Sequence, residues 1–144
     1  MKPLIAAALI IVPLLIAAVI TWWPAEPVAV STVLITPAEV HSQQDISGLA
    51  DNIPAVLSSH LKEIPGLEVH VAQRNVDPAQ AVGFDVVILT GLTEDAGIFQ
   101  LNVQAIRPQT RKEIWSNAYH SSREQYPEML RVAGEGLRRA LNYR

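Results

Sequence analysis

Phe99-Gln100-Leu101-Asn102-Val103-Gln104-Ala105 is the stretch whose pattern decides the fold. Apolar residues fill every odd position and amides every even one. That period of two puts one face of a strand in a core and the other in water. Upstream, Glu94-Asp95-Ala96-Gly97 reads as a turn. Before it, Phe84-Asp85-Val86-Val87-Ile88-Leu89-Thr90 is apolar almost throughout, as expected of a buried strand. Downstream, Arg107-Pro108-Gln109-Thr110 turns the chain into a last strand, Glu113 to Tyr119, which closes a hairpin.

Further out the period changes. Val28 to Ile35 is β-branched and apolar on both parities, the signature of a strand covered on both faces. Thr36 to Ser47 is polar and reads as a loop. Ile53, Val56, Leu57, Leu61 and Ile64 then recur at helical spacing, with Asp51 or Asn52 as cap and Pro54 confined to the first turn. Pro65-Gly66 stops this helix. Leu67, Val69 and Val71 alternate with Glu68 and His70 in a half-exposed strand, and Asp77 to Val82 makes a helical turn. From about Tyr126 a final helix presents Tyr126, Leu130, Ala133, Leu137, Ala140 and Leu141 on one face. Gly134 and Gly136 each weaken it by about 1 kcal/mol relative to Ala, so Gly134, beside Ala133, is expected to allow close packing on the sheet. The order is β-α-β-(α)-β-β-β-α, an α/β fold with a mixed sheet.

The first residues obey a different logic. From Leu4 to Ile20 nothing is polar or charged, and Thr21-Trp22-Trp23 extend the run. As a helix this spans roughly 30 Å, the hydrocarbon thickness of a bilayer. Trp22 and Trp23 fall at headgroup level. A cleaved signal peptide is the competing reading; its apolar core is usually shorter, and Trp23-Pro24-Ala25 is a poor cleavage site. Lys2 precedes the run and no Lys or Arg follows until Lys62, so the positive-inside rule puts the N-terminus in the cytoplasm. The expected organisation is a single-pass inner-membrane anchor over 1–23, a stiff linker over 24–27, and a periplasmic domain over 28–144.

Of the 11 basic and 14 acidic residues, only Lys2 and Glu26 precede Val28, so the domain carries the same net charge as the chain, −3. A nucleic-acid surface needs the opposite balance, and no nucleic-acid partner is expected. The chain has no cysteine, which removes disulfides, thiolate nucleophiles and Cys-based zinc sites.

Each chemically able residue has a plainer role beside the functional one. His41, His60, His70 and His120 show no metal-ligand spacing, and His60 reads as a histidine at the core margin. Asp45, Asp51, Glu63, Asp85, Glu94 and Asp95 form no motif pair; Asp95 reads as a turn residue and Asp51 as a helix cap. The serines at 47, 58, 59, 116, 121 and 122 lack a nucleophile elbow, and the glycines make no phosphate loop. Trp115 and Tyr119 share a strand face, as core packing or as an aromatic patch for a partner. Arg131, Arg138 and Arg139, interleaved with Glu128 and Glu135, read as a solvated helix face. No catalytic, cofactor-binding or metal residue is assigned, no cofactor is expected, and the protein is expected not to be an enzyme.

Three blocks carry a family resemblance. One is Gly48-Leu49-Ala50 with the helix ending Ile64-Pro65-Gly66-Leu67-Glu68-Val69. The second is Phe84 to Leu89 followed by Thr90-Gly91. The third is Val103-Gln104-Ala105-Ile106, a turn, then Ile114-Trp115-Ser116-Asn117-Ala118-Tyr119. Together they resemble the TolB amino-terminal-like α/β domain, which recurs as the periplasmic part of membrane-anchored winged-helix regulators of the CadC/ToxR type. Here only Met1-Lys2-Pro3 precedes the apolar run, and Thr36-Pro37 leads into a loop unlike the family's. The resemblance therefore implies a periplasmic interaction or sensing module, without its own winged helix, serving a signalling or regulatory membrane complex. The alternative is a structural or assembly accessory of the cell envelope. In both, the partner is another membrane or periplasmic protein, and no small-molecule ligand is identifiable.

Overall fold

The computed structural model describes residues 30–42 and 45–142. The expected anchor and linker, and the first residues of the expected strand 28–35, lie outside them. Among the described residues no helix is long and apolar enough to cross a membrane.

Six strands form one mixed sheet: β1 (Thr32–Ile35), β2 (Glu39–His41), β3 (Glu68–Val71), β4 (Val86–Asp95), β5 (Ile98–Arg107) and β6 (Lys112–Ser122). The order is β3-β1-β4-β5-β6, with β2 also pairing β4. The β3–β1, β1–β4 and β2–β4 pairs are parallel, while β4–β5 and β5–β6 are antiparallel. Among the described residues three helices accompany the sheet: α1 (Ser47–Ala50), α2 (Ile53–Leu61) and α3 (Tyr126–Asn142). The turn expected at 77–82 is a 3₁₀ helix over Pro78–Gln80, with the Asp77 side chain accepting from the Ala79 amide.

The alternation in β5 does what its pattern predicts. Phe99, Leu101, Val103 and Ala105 are buried and join Val33, Ile35, Val86, Ile88 and Leu92 against α2 and α3. The opposite side of β1 and β4 is covered only near its start, where Leu34 and Val87 pack with Ala81, Val76 and Phe84 from the segment between β3 and β4. Beyond that cover the sheet's second face is open.

Several expectations change. The loop 36–47 contains β2. It runs parallel to Gly91–Thr93 on the flank of β4 whose earlier part β1 occupies. Three residues, Thr36 to Ala38, face two, Leu89 and Thr90, so the β1–β2 line carries a bulge there. Thr36 bonds the Ile88 carbonyl through both its amide and its hydroxyl, at 3.1 and 3.0 Å, which holds the bulge to β4. The expected single helix is two, with Asp51 the C-cap of α1 and Asn52 at the N-cap of α2 making no side-chain cap bond. Just before α1, Asp45 accepts from the Ser47 amide and hydroxyl at 3.1 and 2.6 Å. Those bonds hold its carboxyl below the usual range.

Asp95 is not in the turn but ends β4; the hairpin turns on Ala96 and Gly97, both at positive φ. β6 runs on to Ser122 and includes His120. Gly134 packs not on the sheet but on α2, since a Cβ there would lie 2.3 Å from His60 Cδ2. Gly136 is the sheet-facing glycine, with Tyr119 Oη 2.6 Å from where its Cβ would stand.

Candidate functional site

On the open face of the sheet, register places Glu39 beside Gly91, Gly91 opposite Asn102, and Asn102 opposite Ala118. This row has a glycine and an alanine where neighbouring rows carry larger side chains. On one side runs His41–Thr93–Gln100–His120; on the other, Leu89–Gln104–Ser116. The result is a trough across the strands. It deepens into a cleft of about 470 Å³ beside Asn75–Pro78, the segment where the cover of the second face stops.

The lining mixes polar side chains with Pro37, Val76, Pro78 and Leu89, and it carries no Lys or Arg. Glu39 stands at one end, two-thirds exposed, with His41 Nε2 3.8 Å from its carboxylate. Asp77 faces it from the loop. Between them the amides are partly committed. Gln100 Nε2 donates to Asn102 Oδ1 at 3.2 Å, and Gln104 Nε2 donates to Glu113 Oε2 at 3.0 Å. Asn102 and Gln104 lie two residues apart on this face of β5, Gln104 in the neighbouring row. Such a surface offers a partner hydrogen bonds, a carboxylate and apolar area together.

The residues singled out from sequence scatter. His41 borders the cleft; His60 sits at the core margin against Gly134; His120 lies on the open face opposite Gln100. His70 bonds Glu68 at 2.6 Å and meets the Phe84 ring edge-on, with centroids 5.4 Å apart. Among the described residues no three of His, Cys, Asp and Glu gather to hold a metal. Asp85 is structural: its carboxylate accepts from the Ser31 and Thr32 amides at 2.8 and 3.1 Å and secures the start of β1. Glu94 accepts from Ser42 Oγ and from the Gly97 amide. Glu63 lies 3.6 Å from Arg138, and Asp51 is exposed on a shallow groove beside α2.

Ser47 bonds Asp45, Ser59 bonds back to the Ala55 carbonyl, and Ser58 and Ser121 are buried. Trp115 and Tyr119 pack against the main core under Gly136, which is the core role. Arg131 bridges Glu128 and Glu135 on an exposed face, and Arg139 joins Glu135 at 3.8 Å. Sequence reasoning missed Glu39, Asp77, Gly91, Asn102 and Gln104 as a group. The amide alternation of β5 was the one visible signal, and it reads equally as a solvated strand face.

No family model matches the sequence, and no curated protein matches it. Solved structures do share the fold. Lipoprotein GNA1162 from Neisseria meningitidis is 21% identical with a TM-score of 0.53, over 64% of this chain and 80% of that one. The C-terminal domain of LpoB from Salmonella enterica is 15% identical with a TM-score of 0.52, over 69% and 88%. The PelC dodecamer from Paraburkholderia phytofirmans is 12% identical with a TM-score of 0.59, over 85% and 96%. At these identities the likeness establishes the fold. It is consistent with the TolB-like α/β fold expected from the resemblance, and it carries nothing of the winged-helix regulator context.

Proposed function

We propose that this chain is a membrane-linked accessory protein of the cell envelope whose periplasmic domain docks on another envelope protein and catalyses no reaction. The observation that carries the reading is the fold shared with lipoprotein GNA1162 and the LpoB C-terminal domain, in a chain that opens with a membrane-length apolar run. A lipoprotein holds its domain at a membrane by acyl chains; here Leu4 to Trp23 would do so as a helix. Pro24 to Pro27 reaches only about 14 Å even when extended. The docking partner is then itself at the inner membrane or within a domain's breadth of it.

The hydrogen-bonding open face supports docking as the mode of action. The sensing and regulatory reading needs the same surface but draws no support from the shared folds, so the accessory role is preferred. Crosslinking a C-terminally tagged copy in intact cells, followed by purification from the membrane fraction and mass spectrometry, tests it. Recovery of a non-regulatory envelope protein with a part at or close to the inner membrane is the expected result. Recovery of a winged-helix membrane regulator would return the chain to signalling. A mature chain beginning near Val19 would remove the anchor.

A further inference from the structure

We infer that the trough over Gly91 is the docking site, and that its occupant is an extended, lysine- or arginine-bearing segment of the protein partner. The inference rests on the docking function proposed above and gives it a place and a chemistry. Three observations carry it. The first is shape: the Glu39–Gly91–Asn102–Ala118 row is lowered by Gly91 and Ala118 between two taller rows, so a chain can lie across the strands. The second is hydrogen bonding. Asn102, in the floor of the trough, accepts from Gln100 Nε2 through its Oδ1, which leaves its Nδ2 to donate to a carbonyl of a chain lying over it.

The third is charge. Glu39 and Asp77 flank the cleft, and no Lys or Arg lines it. Register also sets Asp95 and Glu113 on the same open face. A basic segment is steered to this face, whereas an acidic one is repelled.

Gly91 offers a clean test, because a Cβ there meets nothing within 4 Å and its φ needs no glycine. Gly91→Arg therefore fills the trough, and brings its own cation to the carboxylates, without disturbing the core. The full chain, purified in neutral detergent micelles, is titrated into a fluorescein-labelled octapeptide of four Lys-Ser repeats, and into its Glu-Ser counterpart, at low ionic strength. Anisotropy should show binding of the lysine peptide alone. Glu39→Lys should weaken it roughly tenfold, and Gly91→Arg should abolish it at unchanged thermal midpoint. Glu68→Lys on β3, which makes the same net-charge change elsewhere, should leave it intact.

Equal weakening by Glu68→Lys would reduce the effect to net charge and overturn the site. So would binding that survives Gly91→Arg, failure of the lysine peptide to bind, or a neutral glucan oligosaccharide that binds in its place and is lost in Gly91→Arg. If Gly91→Arg still crosslinks to the same envelope protein in cells, the docking function stands and this trough is not where it occurs.

Discussion

Gly134 and Gly136 sit one residue apart on α3 and meet different neighbours, His60 and Tyr119. An added methyl at 134 gains about 1 kcal/mol of helix propensity but must push the His60 ring aside. Gly134→Ala should therefore lower stability by about 1 kcal/mol in urea unfolding, and the same change in a His60→Ala background should raise it. Helical spacing placed Gly134 on the buried face; only the packed helices showed that the surface it meets is α2. Asp85 teaches the same lesson. It reads as one polar residue inside an apolar run, and its work is to bond the amides of Ser31 and Thr32 at the start of β1, 54 and 53 positions away in sequence. Asp85→Ala should cost about 1–2 kcal/mol, because charge-assisted bonds to backbone are lost and the amides at the start of β1 lose their acceptor. Equilibrium denaturation checks this, and retention of full stability would show that water replaces the carboxylate there.

The β4–β5 hairpin turns on Ala96 at φ 50° and Gly97 at φ 81°. Two central residues at positive φ suit the right-handed twist of a hairpin, but alanine is strained in that region where asparagine is tolerated. Ala96→Asn should stabilise the domain by about 0.5–1 kcal/mol, read as a higher urea midpoint. At the far edge of the sheet, β6 is long, and from Ile114 to Ser122 it carries no Lys, Arg, Asp or Glu. Such an edge invites pairing with another strand. Asn117 guards it: its Oδ1 accepts from the Ala118 amide at 2.9 Å, and its Nδ2 donates to Tyr119 Oη at 3.2 Å. Asn117→Val frees that amide, and light scattering coupled to size exclusion should then show stronger concentration-dependent self-association than in the native chain. β5 was legible from its alternation, and so was the amphipathic α3. β2 was not, since three residues after Pro37 carry too little periodicity to separate a strand from a loop, and what makes them a strand is the open flank of β4.

Across the molecule, Tyr126 ties the two helical segments together. Its ring packs on Phe99 with centroids 5.4 Å apart, and its hydroxyl donates to the Leu49 carbonyl of α1 at 2.9 Å. Burial pushes its phenol up to about 12. A pKa raised in the folded state means that the unfolded chain loses this proton first, from about pH 10. The stabilisation is complete below that pH and is lost as pH rises toward 12. The urea midpoint should fall over this interval, and Tyr126→Phe should flatten the fall while costing about 1 kcal/mol at neutral pH. What the sequence determined by itself was periodic: five of the six strands, the two amphipathic helices, the mixed α/β class and the membrane-length run at the start. Those follow from local repeats of 2 and 3.6 residues and from unbroken apolar length, which are written in neighbouring residues. What only the tertiary structure decided was which neighbours meet across the sheet. Glu39, Gly91, Asn102 and Ala118 come from four strands and form one row because parallel and antiparallel registers align them. Register is set by the bulge at Thr36–Ala38, by the shift between Ala105 and Ile106, and by two turns, so the trough exists only once those long-range pairings have formed.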